Sequence, residues 1–170
     1  MKIEFFVQGI PATAGSKKAF PIRTGRFKPN SKTGAPQEVI RVVVTDSSGQ
    51  KGKSWRESVR SACSEVFQGA PMTGPLNVSM CFFMPYRKGD YGTGRNAGQL
   101  KENAPKYVVT KPDGLKLARG TEDALTGVLW VDDSQVVGLI VKKLYSERPG
   151  ALIKVERPLD ASDIQFNDDF

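Results

Sequence analysis

The chain has 170 residues, of which 39% are hydrophobic and 25% charged, and it contains no histidine. That length suits one domain whose core holds without disulfide or metal staples. With no imidazole, His-based general bases and His-ligated zinc sites are excluded, so any chemistry rests on carboxylates, lysine, arginine or a bound metal.

The net charge of +7 is unevenly spread: over residues 157–170 Arg157 faces Asp160, Asp163, Asp168 and Asp169, a net −3 that leaves +10 for residues 1–156. A basic body attracts polyanions, nucleic acid first among them. No apolar stretch of about 18 residues and no secretory h-region occurs, so a soluble cytoplasmic protein without membrane contact is expected. Cys63 and Cys81, with no CxxC, read as buried reduced thiols.

In chain order, KIEFFVQ (residues 2–8) is β-prone and closes at Gly9 and Pro11, a first strand. Residues 13–36 are rich in Gly, Pro and Ser and carry Lys17, Lys18, Arg23, Arg26, Lys28 and Lys32, which predicts a basic loop with at most a short hairpin around Thr24-Gly25. VIRVVVT (39–45) predicts a second strand, and Ser54 an N-cap. Trp55, Val59, Ala62 and Val66 fall at i, i+4, i+7 and i+11, one stripe of an amphipathic helix ending near Gly69. Leu76, Val78, Met80, Phe82 and Met84 alternate with polar neighbours, a third strand stopping at Pro85.

Residues 86–112 lack apolar periodicity and mix Arg87, Lys88, Arg95, Lys101, Lys106 and Lys111 with Tyr86, Tyr91 and Tyr107. Basic side chains among aromatics suit phosphate contact and base stacking, although a solvated loop has the same composition. Residues 114–125 predict a second helix, with Leu117, Ala118, Thr121, Ala124 and Leu125 on a packed arc and Lys116, Arg119, Gly120, Glu122 and Asp123 in front. Strands are expected over 134–145 and 151–156. The order is β-β-α-β-loop-α-β-β, an α+β class with a small mixed sheet and two main helices, in a single domain over 1–156 and an acidic tail over 157–170.

Five carboxylates gather between residues 110 and 137 of this basic chain: Asp113, Glu122, Asp123, Asp132 and Asp133. Asp113 stands where a helix N-cap belongs, and Asp132-Asp133 precedes a strand as a turn would. Taken singly, each reads as a cap or a solvated turn. Taken together, they form a hard oxygen site for Mg²⁺ or Mn²⁺, and embedding it in a positive surface makes sense if the cation bridges carboxylates to a phosphodiester.

KPD, a KLAR helix, EDALTG, then DDSQVV and a KK-Y strand resemble the RusA-type Holliday junction resolvases of phages and prophages, most closely over 110–145. The resemblance implies an α+β homodimer that binds branched DNA, a four-way junction, and makes paired symmetric cuts with Mg²⁺. Carried onto this chain, it implies catalytic roles for Asp113, Asp132 and Asp133, with Arg119 at the place of the family's helix lysine. The family pattern PD-x-D has its second aspartate where this chain has Leu115, and Glu122 stands two turns farther along nearly the same helical face. We therefore expect Asp113, Glu122 and Asp133 to hold the metal, with Lys17, Lys18, Arg23, Arg26, Arg87, Lys88, Arg95, Lys101, Lys111 and Lys116 contacting DNA. Two alternatives stay open: a non-catalytic junction- or duplex-binding protein whose site lapsed at Leu115, and a nuclease preferring flaps or forks. The end DIQFNDDF resembles the acidic tips of single-strand-binding proteins, a docking tip for a recombination partner if it is more than a solubilising tail.

Overall fold

The computed structural model describes residues 2–15, 17–46 and 48–158, with the side chains of 17, 18 and 44–46 also outside the description. The acidic tail expected over 157–170 lies outside the described residues from 159 onward. The elements are β1 (Lys2–Gln8), β2 (Lys17–Pro29), β3 (Pro36–Asp46), α1 (Gly49–Val66), β4 (Leu76–Pro85), α2 (Gly114–Leu125), β5 (Val136–Ser146) and β6 (Gly150–Glu156). The α+β reading holds, with a four-stranded mixed sheet in the order β1-β6-β4-β5 and a separate two-stranded ribbon of β2 and β3. Within the four-stranded sheet β4 and β5 are parallel and the other pairs antiparallel, and the chain crosses between β4 and β5 through the long loop and α2.

The period-2 pattern of β4 works as expected: Leu76, Val78, Met80 and Phe82 are buried. They share one core with Trp55, Val59 and Cys63 of α1 and with Leu117, Ala118, Ala124 and Leu125 of α2. The two helices therefore cover one face of the sheet. Within that core the Trp55 indole N–H donates to Thr121 Oγ1 at 3.1 Å, and Thr121 donates its own hydroxyl to the Leu117 carbonyl at 3.0 Å. The buried Thr121 hydroxyl is thus satisfied, as a dry core requires.

Five expectations need correction. The basic stretch is no loop: it forms most of a ribbon whose turn is at 30–35, where Asn30 Oδ1 accepts the N–H groups of Lys32 and Thr33. Thr24-Gly25 is instead part of a bulge, three residues opposite one, with Gly25 at φ +65°. Ser54 lies inside α1, which begins at Gly49. Gly52 is buried near the Thr13 carbonyl, a close approach that lets the polar GQKGK segment join the helix. Gly120, expected on the charged front of α2, is buried, because the chain at Ala12–Ala14 crosses there and a Cβ would come within 2.7 Å of the Ala14 nitrogen. Cys63 is buried as expected, but Cys81 is only half-buried.

Candidate active site

Asp113 caps α2 as its position predicts, its Oδ1 accepting the Leu115 N–H at 3.0 Å. The loop leading to it, with a cis Lys111-Pro112 bond, hangs on β5. The Val108 N–H donates to the Lys143 carbonyl at 3.2 Å, and Lys143 Nζ donates to the carbonyls of Thr110 (2.9 Å) and Pro112 (2.6 Å). An ammonium has three donors, so Lys143 spends two on shaping the loop and keeps one. Sequence reasoning placed Lys143 only on a strand and missed this role, since nothing in KK-Y marks which lysine faces the helix.

In front of this helix start lies an open cleft of about 790 Å³ lined by Thr13, Lys111, Asp113, Lys116, Lys143 and the backbone around Val109 and Gly114. Three lysines and the N–H groups of a helix N-terminus favour an anion such as a phosphate. Among the described residues Asp113 is the one acid in that lining. Beside it a smaller recess is lined by Tyr107, Val108, Leu115, Val141 and Lys143. Leu115 is 69% exposed there, an apolar side chain in water on the first turn.

The second acidic group sits at the other end of the helix. Trp130 and Val131 pair with the chain at Met72, and Trp130 Nε1 donates to Thr126 Oγ1 at 3.1 Å, which anchors the turn after α2. Asp132 then caps a short 3₁₀ turn, Asp133–Gln135, by accepting the Ser134 N–H at 2.9 Å. That bonding from Ser134 holds the Asp132 carboxyl below its ordinary value. Gln135 clamps the turn in place. Its Oε1 accepts the N–H groups of Val131 and Asp132, both at 2.9 Å, and its Nε2 donates to the carbonyls of Met72 (3.0 Å) and Gly74 (2.9 Å). A lone Gln after an acidic pair carries no sequence signal for such a clamp.

This turn brings Asp133 near enough for its charge to bear on Glu122. Burial, then the charge of Asp133, then that of Asp123 push the half-buried Glu122 carboxyl above its ordinary value. Among the described residues no ion pair ties Glu122 to Arg119, so the charges that bear on its carboxylate are those of acids. On the α2 wheel Leu115, Arg119 and Glu122 share one outer face, with Arg119 between the other two.

Asp113, Glu122 and Asp133 are not gathered into one ligand set. Among the described residues no three His, Cys, Asp or Glu side chains lie together in a metal-binding group. The reason is helical rise: nine residues separate Asp113 from Glu122, about 13 Å along the axis. The acids whose charge bears on Glu122 are Asp133 and Asp123, not Asp113.

The other cations expected to contact DNA divide. Lys111 and Lys116 line the cleft, and Arg23 and Arg26 are exposed on the ribbon. Lys17 and Lys18 have side chains outside the described part. Arg87 is engaged internally, donating to Asp90 through Nε (3.2 Å) and Nη2 (3.3 Å) and lying over the Tyr145 ring. Tyr86 stacks on Tyr145 with centroids 5.4 Å apart and meets Tyr91 edge-on, so two of the loop's three tyrosines pack on the body. Lys88, Arg95 and Lys101 are exposed on the same loop, Lys101 donating to the Gly89 carbonyl.

The family model "Endodeoxyribonuclease RusA" matches residues 21–156, most of the chain. The chain belongs to the RusA endodeoxyribonuclease family. It is also 34% identical over 102 residues to the "Uncharacterized protein YqaN" of Bacillus subtilis (strain 168), an alignment covering 58% of this chain and 69% of that one. The RusA match spans both acidic groups, the cleft apart from Thr13 and most of the ribbon, and supports a Holliday junction endonuclease. No helix among the described residues is long and apolar enough to cross a membrane.

Proposed function

We propose that this RusA-family chain is a divalent-metal-dependent endonuclease that resolves four-way DNA junctions by paired, symmetric phosphodiester cleavage, acting as a homodimer. The observation that supports this reading best is a lysine-lined anion cleft at the start of α2 together with two acids toward its other end, Glu122 on the helix and Asp133 on the turn that follows, whose charges bear on each other. Clustered anions beside a phosphate site repel the substrate unless a cation stands between them. The pair fits Mg²⁺, which is commonly held by one or two carboxylates with the remaining positions left to water and substrate phosphate. Bound there, the cation would supply Lewis-acid polarisation of the phosphodiester and a water of lowered pKa.

The chain's own groups do the rest. Lys111, Lys116 and the α2 N-terminus bind a backbone phosphate farther along the strand and so orient the scissile one, and Lys143 adds its charge and one remaining donor. Arg119, between the cleft and the pair on the outer face, is placed to offset charge growing on the phosphorus. It carries a permanent positive charge and does not serve as a proton donor. Asp132, spent on Ser134, holds the turn, which leaves Asp133 as the ligand of the two. Asp113 caps the helix that presents the cleft.

A labelled synthetic junction incubated with Mg²⁺ or Mn²⁺ tests this. Paired nicks that need the metal, lost in Asp133→Asn while binding in EDTA persists, are expected. Full cleavage by Asp133→Asn, or nicking without metal, would overturn it. One observation favours a second reading: the exposed Leu115 methyls stand where the family has an aspartate, as in a junction-binding protein that no longer cuts. Tight, salt-sensitive binding with no nicks in either metal would establish that reading.

A further inference from the structure

The β2–β3 ribbon is the part of the molecule that the site does not use. Its two strands pair with each other over residues 17–46 and belong to no other sheet. Phe20, Ile22, Phe27, Ile40 and Val42 are between 49% and 64% exposed along it. A two-stranded hairpin is marginal in water by itself, so this much uncovered apolar surface on so long a ribbon calls for a partner.

Charge decides which partner. Residues 17–46 hold seven Lys and Arg against Glu38 and Asp46, a net +5, and residues 1–156 as a whole carry +10. Another copy of this chain offers the ribbon a like-charged body, whereas a polyanion matches it. Geometry agrees. Thirteen residues of strand span about 40 Å, roughly one turn of B-form DNA, and a two-stranded ribbon fits the major groove. The bulge at Thr24–Arg26 bends the ribbon, as bulges do. Arg26 closes the bulge, and past it stand Phe27, Lys28 and Lys32, cations beside an exposed ring of the kind that meets sugars and base edges. The root also fits: Thr13 lines the phosphate cleft, and the Ala14 N–H donates to the Lys116 carbonyl at 3.2 Å, three residues before the ribbon starts.

We propose that the β2–β3 ribbon is a second DNA-binding element, gripping about one helical turn of a duplex arm that leaves the phosphate cleft. The proposal rests on the reading that branched DNA is the substrate, and it adds arm length as a determinant of affinity.

The test compares junctions with arms of about 25 bp and about 8 bp, that is, more and less than one turn, in EDTA over a salt series. Three proteins are used: the wild type, a ribbon-shortened variant with residues 23–40 replaced by Asn-Gly, and the triple substitution Arg26→Ser, Lys28→Ser, Lys32→Ser, which keeps the backbone intact. The wild type should bind the long-armed junction at least ~10-fold tighter, and both variants should lose most of that difference. The salt slope of the triple variant on long arms should fall by about 3, one per cation removed. Variants that keep the wild-type dependence on arm length would overturn the proposal. So would a shortened variant that becomes monomeric by light scattering and weakens equally on both junctions, because the ribbon would then be an interface between copies. If the wild type shows no preference for junctions over linear duplex, but the variants lose duplex affinity, the substrate reading fails and the ribbon proposal stands.

Discussion

Removing the Gln135 side chain is the sharpest test of how the acidic turn is held. Gln135→Ala deletes four hydrogen bonds at once, two accepted from Val131 and Asp132 and two donated to Met72 and Gly74. At about 0.5–1.5 kcal/mol net each, the four sum to roughly 2–6 kcal/mol in a dry site. Gln135 is half-buried, and water can replace the bonds on the exposed side, so a loss of about 2 kcal/mol is expected. In a chain of this size that lowers Tm by about 4–8 °C. Urea unfolding should show a shifted midpoint with an unchanged slope, and native-state hydrogen exchange should show lost protection at the Val131 and Asp132 amides. Gln135→Glu should be worse than alanine, since it aims an oxygen at the Met72 and Gly74 carbonyls. Metal-dependent cleavage should fall with both variants, because the turn presenting Asp133 to Glu122 loosens. A stability change under about 0.5 kcal/mol with amide protection intact would show that the turn is held by other contacts.

Three further outcomes are expected. The native state holds the Glu122 proton more tightly than the unfolded chain does, so wild-type stability falls as pH rises from the ordinary value of 4.5 through the raised one. Glu122→Gln measured in EDTA should therefore be more stable than wild type at neutral pH and lose that advantage below 4.5, and a pH-independent difference would refute the raised Glu122 carboxyl. Gly120→Ala, which helix propensity alone scores as stabilising by about 1 kcal/mol, should destabilise instead, because its Cβ meets the Ala14 nitrogen at 2.7 Å; thermal unfolding decides the sign. Burial pushes the Cys63 thiol up to about 11, so under mildly alkaline conditions a thiol reagent should label half-buried Cys81 first and reach Cys63 only on unfolding, as mass spectrometry of timed samples would show.

The legible parts of this fold were those where a single face repeats. β4 and the buried arc of α2 follow from period 2 and period 3.6, because one side of each meets the core and the other does not. The Asp113 cap was legible for the same local reason: a carboxylate before a helix has one nearby use for its oxygens. Of the ribbon only VIRVVVT (39–45) was legible, as β3; β2 was not, because its apolar residues meet no core among the described residues. Without a buried face to enforce alternation, Gly, Pro and Lys dominate its pattern and read as loop. Gly120 was misplaced because its burial comes from Ala12–Ala14, more than a hundred residues earlier, and a helical wheel sees only its own helix.

The active site divides along the same line between local and long-range information. Spacing along α2 put Leu115 and Glu122 on one face, and that holds, but the step from one face to one metal site asked a long side chain to offset the rise along the helix axis. A shared face aligns two side chains in angle while seven residues still separate them by about 10 Å. What Glu122 meets is decided by the turn at Asp132–Gln135, fixed to Met72 and Gly74 through Gln135, a tertiary link with no periodic trace. An acid moved two turns down a helix can therefore replace the one missing at Leu115 only if its partner lies at the new level. Here the charge of Asp133 bears on Glu122, while Asp113 stands about 13 Å back along the axis.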